Sequence, residues 1–301
     1  MGGVRRMRLW STAAVLVMAA MVSGCGASGG TPGRGPVTGA GTGTGSAAGT
    51  PAVAGYWTRS RLLGAQPERE WSPPRIPSPG ATPSAHNRVR AAPRVGALFE
   101  HDATGNHFCT ASVVASPGHD LLMTAAHCIN GGNGGGYKTD IVFIPGYQDG
   151  TEPFGVWTPS KLVVDPRWAE SSDPDFDVGF VVLRPLDGEN IEDVLGANQI
   201  GFDAGFAHLV RVTGYPSSAN TPVTCLNWTS QQSARQVRFA CGGFFGGTSG
   251  SPWITRFDPR THTGTIVGVI GGYQEGGATD AISYSAYLNG DIQKVYEQAG
   301  G

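Results

Sequence analysis

The chain has 301 residues, 40% hydrophobic and 15% charged, with 47 glycines and a net charge of −2. That near-neutral total is divided: residues 1–94 carry 11 arginines and no lysine against two acidic residues, about +9, whereas residues 95–301 carry 10 basic against 21 acidic residues, about −11. An acidic body without a basic face argues against nucleic-acid binding, and the length permits one large domain or two small ones. The basic arm suits either a surface-associating tail or a solubilised linker.

The arm begins with Arg5, Arg6 and Arg8, followed by an apolar run over residues 9–22. At about 14 residues the run suits a signal peptide and is short of the roughly 20 that span a bilayer. It ends in Val22-Ser23-Gly24-Cys25, which resembles a bacterial lipobox. That resemblance implies cleavage after residue 24 and lipidation of Cys25, and two or more acyl chains hold a protein stably to a membrane. An ordinary secretory signal or an uncleaved anchor are the alternatives, and either way the chain is expected to be exported. Residues 25–55 are almost wholly Gly, Ala, Thr, Ser and Pro after the cysteine, a composition expected to form a flexible tether. Residues 56–90 are Pro-rich yet hold Tyr56, Trp57, Leu62, Leu63 and Trp71, so a partly structured linker, a propeptide-like segment or a strip that docks on the domain is expected there.

From about residue 91 to 301 short β-branched and aromatic runs alternate with turn clusters. The runs lie at 95–99, 110–115, 141–144, 161–164, 178–183, 209–214, 237–241, 251–255 and 265–270. Many short strands at near-regular spacing predict an all-β barrel or sandwich. Only the C-terminus reads as helix, where Ile292, Val295 and Tyr296 share one face at i, i+3 and i+4. Five cysteines are present. With Cys25 set aside, Cys109, Cys128, Cys225 and Cys241 remain, an even number that reads as two disulfides in an exported chain. No C-x-x-C or H-x-x-x-H spacing favours zinc, so neither a metal nor a cofactor is expected.

Three blocks carry chemistry. Thr124-Ala125-Ala126-His127-Cys128 offers an imidazole, Asp175-Phe176-Asp177-Val178-Gly179 a carboxylate opening a strand, and Gly246-Gly247-Thr248-Ser249-Gly250-Ser251-Pro252 a serine in a glycine-rich turn. A serine hydroxyl becomes a competent nucleophile when an imidazole takes its proton and a buried carboxylate fixes that imidazole's tautomer. Asp177 is favoured over Asp173 and Asp175 because it directly precedes the strand run. The α/β-hydrolase elbow is excluded, since it runs Ser, Asp, His and needs glycine where Ser251 stands. In their order His, Asp, Ser, and with Asn106-His107-Phe108-Cys109-Thr110 upstream, the blocks resemble a bacterial trypsin-like (chymotrypsin-fold) serine peptidase, nearest the glutamyl-endopeptidase branch, over the last two thirds of the chain.

The resemblance implies two six-stranded antiparallel β-barrels meeting near residues 185–205, a cleft between them holding the active site, and a C-terminal helix. It implies His127, Asp177 and Ser249 as the triad, the N–H groups of Gly247 and Ser249 as the oxyanion hole, and a Cys109–Cys128 disulfide, leaving Cys225 with Cys241. Pocket walls are implied at 242–245 and 269–273, including Gly243, Phe244, Ile270, Gly272 and Tyr273. Ile270 stands where glutamyl endopeptidases carry histidine, and no aspartate lies in 242–245, so an apolar or small side chain is the expected preference. Thr248 replaces the aspartate that pairs with a newly cut N-terminus in many animal relatives, so activity is expected once the chain folds, or after restraint by the proline-rich segment ends. Peptide or protein substrates, a monomer and no nucleic-acid partner are expected. A non-catalytic peptide-binding relative and an esterase using the same triad are the competing functions.

Overall fold

The computed structural model describes residues 44–46, 50–68, 87–88, 93–277 and 279–301. The expected signal peptide, Cys25 and Trp71 lie outside these residues. Among the described residues no helix is long and apolar enough to cross a membrane.

In chain order, β1 (Thr44–Ser46), α1 (Thr50–Tyr56), α2 (Arg59–Gly64), β2 (Gln66–Pro67) and β3 (Asn87–Arg88) precede the first barrel. That barrel contains β4 (Val95–Asp102), β5 (Gly105–Val114), β6 (Leu121–Thr124), β7 (Thr139–Pro145), β8 (Pro159–Val164) and β9 (Gly179–Leu183), with α3 (Pro166–Ser171) before β9. After α4 (Ile191–Leu195) come β10 (Gln199–Ile200), β11 (Leu209–Gly214), β12 (Val223–Gln231), β13 (Gln236–Ala240), β14 (Pro252–Asp258), β15 (Thr263–Val269), β16 (Ile282–Ala286) and α5 (Gly290–Ala299).

The first six long strands run β8-β9-β6-β5-β4-β7, all antiparallel. A bridge from Phe143 on β7 to Trp157, just before β8, brings the two ends together. The second set runs β15-β14-β11-β12-β13-β16, and Gly271 N–H donates to Tyr284 O at 3.0 Å where its ends meet. Each six-stranded set is therefore curled on itself, which leaves few free edges. The short strands β1 and β2 extend the first sheet, and β3 and β10 the second. Residues 198–200 make the crossing: Ala115 N–H donates to Asn198 O at 2.9 Å, and β10 lies parallel to β15. This places the junction within the expected 185–205.

Leu121, Leu122, Met123, Phe143 and Phe180 fill the first core, and Val210, Val212, Phe239 and Trp253 the second. The C-terminal helix forms as expected. Asn289 caps it by accepting from Asp291 N and Ile292 N, Gly300 ends it in the left-handed region (φ 101°), and Ile292 and Val295 pack into the first core. Of the twelve barrel strands, three had no sequence expectation, β6, β12 and β16.

The segment before the barrels departs from expectation at its start. The tether was expected to run to residue 55, yet α1 starts at Thr50, and residues 50–68 hold two helices and a strand. Trp57, Leu62 and Ala65 are buried in one cluster with Val95, Phe99, Val142, Ile144, Tyr147 and Tyr215. Thr58 caps α2 by accepting from Arg61 N, and Trp57 Nε1 donates to Asp140 O at 2.7 Å. Burying large apolar side chains contributes roughly 1.5–3 kcal/mol each, which outweighs the glycine and proline around them. Residues 57–68 therefore pack as part of the body.

Candidate active site

His127 lies in a single 3-10 turn, Ala126–Cys128, directly after β6. The Cys109–Cys128 disulfide ties that turn to β5 (Cα–Cα 6.1 Å), and Cys225–Cys241 closes the segment before the serine turn. The first pairing is the one the family resemblance implied, and the second joins the two cysteines that remained. Asp177 follows the 3-10 turn Pro174–Phe176 and precedes β9. Its Oδ2 meets His127 Nδ1 at 2.8 Å and accepts from Gly272 N at 2.8 Å, while Oδ1 accepts from His127 N at 3.0 Å. Both side chains are buried, at 2% and 0% exposure, so neither charge is screened by water.

The electrostatics follow from that geometry. Burial disfavours charge on both groups, but their attraction prevails. Against burial, the Asp177 charge and hydrogen bond hold the His127 imidazolium above the usual histidine value, with smaller contributions from Glu275 and Glu68. Against burial likewise, the His127 charge, the two His127 hydrogen bonds and the Gly272 N–H hold the Asp177 carboxyl below the usual carboxylate value. Asp173 and Asp175 serve elsewhere. Asp173 accepts from Asp175 N at 3.0 Å, and Asp175 accepts from Gln236 Nε2 at 2.8 Å, so both are half-buried and engaged instead of solvated.

The serine turn is held between the two barrels. Thr110 N–H of β5 donates to Ser249 O at 2.7 Å, and Gly250 N–H donates to Ile270 O at 2.7 Å. Gly250 has φ +81°, and a Cβ there would lie 2.0 Å from Thr110 O, 2.2 Å from Thr124 Oγ1 and 3.1 Å from Ala125 N. Only glycine fits so tight a left-handed position, and this close approach seats Ser249 against the strand end leading into His127. Gly247 is also left-handed (φ +90°), with the Phe108 ring against its Cα. The N–H groups of Gly247 and Ser249 have no hydrogen-bond partner among the described residues, nor does the Ser249 hydroxyl, which is half-buried. Such hydroxyl–imidazole bonds are commonly loose without substrate.

Thr248 is fixed locally. Its Oγ1 donates to Phe245 O at 2.8 Å, and its carbonyl accepts from Ser251 N at 3.0 Å and Ser251 Oγ at 2.6 Å. Val95 begins β4 as an interior strand, buried in the cluster that holds Trp57.

The expected pocket positions behave unequally. Phe244 and Ile270 belong to the core of the second barrel, with Phe244 set edge-on to Phe239 at 6.0 Å, so these two side chains are core residues. Gly243 is left-handed (φ +88°), and Gly272 spends its N–H on Asp177. Tyr273 is exposed and packs on Tyr284 at 5.1 Å, and Phe245, next to Phe244 in sequence, is exposed as well. A further residue, Gln236, was not anticipated. It is buried, donates through Nε2 to Pro174 O and Asp175 Oδ1, and accepts from Tyr273 N, joining the Asp177 turn to the 271–273 edge. A glutamine opening a strand carries no sequence signal for this.

Two clusters among the described residues have metal-ligand proximity. In one, the thiols beside His127 are consumed by the disulfide. In the other, Glu68, Glu100 and His107 lie close together, but the Lys138 ammonium already bridges Glu68, Glu100 and Asp102 as the resident cation.

Comparison with known proteins agrees with this geometry. The structure is similar to that of the protease Anisep from Arthrobacter nicotinovorans, at 25% identity and TM-score 0.65, over 71% of this chain and 99% of that one. The chain has the fold of a trypsin-like serine protease. The thermostable serine protease AL20 from an extremophilic microorganism is similar at 27% identity and TM-score 0.64, over 69% of this chain and 97% of that one. A Glu endopeptidase shares the fold at 17% identity and TM-score 0.56, over 71% of this chain and 96% of that one. No protein-family model matches the sequence, and no curated protein matches it. These likenesses support a peptidase-type hydrolase. In this trypsin-like fold the His127–Asp177 pair belongs to the first barrel and the Ser249 turn to the second, joined through Thr110 N–H and Ser249 O.

Proposed function

We propose that the protein is a serine endopeptidase, exported and tethered to the membrane through Cys25. The observation that carries the reading is the buried His127–Asp177 pair, set beside a serine turn with two uncommitted backbone N–H groups. With Nδ1–H directed at Asp177, the His127 Nε2 lone pair is left to accept the Ser249 proton. Ser249 Oγ then bonds to the scissile carbonyl carbon, and the carbonyl π pair moves onto oxygen. The N–H groups of Gly247 and Ser249 stabilise that oxyanion, each worth about 3–4 kcal/mol in comparable sites. Collapse expels the amine, which takes its proton from His127 and leaves an acyl-Ser249 ester. Water attacks that ester by the same route, giving its proton to His127, and the acid departs as Ser249 regains its hydrogen.

The locally fixed Thr248 supports competence on folding, without an N-terminal ion pair. The absence of charged side chains at 242–245 and 269–273 supports cleavage after apolar or small residues.

Incubating the full chain with a peptide library and with matched esters tests this reading. Ser249-dependent cleavage within peptides, lost in Ser249→Ala, is the expected result. Turnover of esters alone would replace it with an esterase, and no turnover by the folded chain would leave a binding protein. Incorporation of labelled palmitate, lost in Cys25→Ser, checks the anchor, and an unlabelled parent would remove it.

A further inference from the structure

Residues 66–68 occupy ground beside the serine. Strand β2 lies parallel to β5, with Gln66 opposite His107 and Pro67 opposite Phe108, and Glu68 N–H donates to Phe108 O at 3.1 Å. Two residues further along β5, Thr110 N–H is taken by Ser249 O. At about 3.3 Å per strand residue, Phe108 and Thr110 are roughly 7 Å apart along the strand. The Glu68 contact on β5 therefore lies within one or two residues of the nucleophile's own backbone contact. Two further observations agree: the Phe108 ring rests on Gly247, and the Glu68 carboxylate is near enough to favour charge on His127.

The serine turn is flanked by residues 270–273, which follow β15, on one side and by residues 107–110 of β5 on the other. The peptidase reading, on which this inference rests, gives the first to the acyl part of the substrate. The β5 side is then left for the residues following the scissile bond. An extended peptide crossing Ser249 needs main-chain partners on that side, and Glu68 already holds the Phe108 carbonyl.

We propose that residues 66–68 are a specificity element acting on the leaving-group side: they fill the β5 position that an extended substrate needs, so that substrates ending soon after the scissile bond are favoured. The segment is held from two directions. Trp57, Leu62 and Ala65 anchor it in the core, and Glu68 is ion-paired to Lys138, which also binds Glu100 and Asp102. A polypeptide must displace residues 66–68, whereas a small leaving group need not.

The test compares Glu68→Pro, which removes the N–H donor, with Glu68→Ala, which removes the carboxylate and keeps the N–H. Both leave the apolar anchors in place, and thermal melts confirm folding. Three substrates share one acyl group and carry a nitrophenyl ester, a single amino acid amide, or four residues beyond the scissile bond. The expected result is a ratio of kcat/KM, four-residue over ester, raised severalfold in Glu68→Pro, up to the roughly tenfold that one backbone hydrogen bond is worth, and raised by less in Glu68→Ala, which loses the Lys138 ion pair alone. Equal ratios in parent and Glu68→Pro, with the ester turned over normally, overturn the inference and leave the peptidase reading intact. Loss of Ser249-dependent ester turnover in every folded variant, parent included, overturns both. Should Glu68→Pro not fold, Trp57→Ala with Leu62→Ala loosens the same segment, and the same ratio decides.

Discussion

Replacing Asp177 by Asn keeps the shape of the buried side chain and removes its charge. The carboxylate accepts three hydrogen bonds, two from His127 and one from Gly272. An amide offers one acceptor oxygen, and its NH2 must face either His127 N–H or the shared position of Nδ1 and Gly272 N–H, so a donor meets a donor. With the NH2 on that shared position, the bonds from Nδ1 and Gly272 N–H are the ones lost; both are charge-assisted, worth about 1.5–3 kcal/mol each, and the Nδ1 bond gains as imidazolium forms in the transition state. Losing both costs about 3–6 kcal/mol, or roughly two to four decades in rate at 1.36 kcal/mol per decade. The assay is kcat/KM on a nitrophenyl ester against pH, with a urea melt as the control for folding. Neutral His127 is the active base, and its imidazolium is held above the usual 6.5, so activity in the parent rises through a limb above that pH. In Asp177→Asn the limb moves to lower pH and the plateau falls by at least a hundredfold. A folded variant with less than a tenfold loss and an unmoved limb refutes the reasoning.

Other outcomes follow from the same contacts. Gly250→Ala strains a left-handed position (φ +81°) and drives a methyl into Thr110 O and Thr124 Oγ1, so stability falls by roughly 2–6 kcal/mol in chemical denaturation; a loss under 1 kcal/mol contradicts the packing. The Glu100 carboxyl, buried and facing Glu68, is pushed up to about 10. The folded state therefore keeps a proton that the unfolded chain releases near pH 4.5, and stability declines as pH rises through that window. Glu100→Gln, which mimics the protonated acid, should flatten the decline and raise the Tm at pH 8; an unchanged slope argues against it. Replacing Cys225 and Cys241 together by Ser opens a loop with a sequence separation of 16 and should cost about 3 kcal/mol in urea, with equal midpoints as the contrary result. In acid, the Asp177 contribution is present above the usual carboxylate value of 3.8 and is lost as pH falls through its lower folded value. Asp177→Asn should therefore remove part of the acid-unfolding slope, and identical acid transitions contradict that.

Much of the barrel architecture was legible because strands such as β4, β7, β9 and β11 are dense in β-branched and aromatic residues. β12 was not, since Asn227, Thr229, Ser230 and Gln231 dilute its apolar residues; pairing with β11 and β13 decides its form. β6 is only four residues, Leu121–Thr124, directly before the histidine block, and β16 alternates serines with apolar residues. The placement of His127, Asp177 and the serine turn could be read because each residue type sits in a distinctive local setting. Gln236 and Gly272 could not, because their contributions are long-range hydrogen bonds that no local pattern announces. Phe244 and Ile270, expected along the pocket walls, pack in the second core. The largest difference lies in residues 50–68, where composition suggested a linker. There Trp57 and Leu62 bury enough apolar surface to fold it onto β4 and β7.

The central claim is that Ser249 is activated by His127 and Asp177. Treating the full chain with a fluorophosphonate and mapping the adduct by mass spectrometry tests it most directly. The account predicts one phosphonyl group on the peptide containing Ser249, absent from Ser249→Ala and formed at least a hundredfold more slowly in Asp177→Asn. A folded parent that stays unlabelled, or one labelled at another serine, would contradict it.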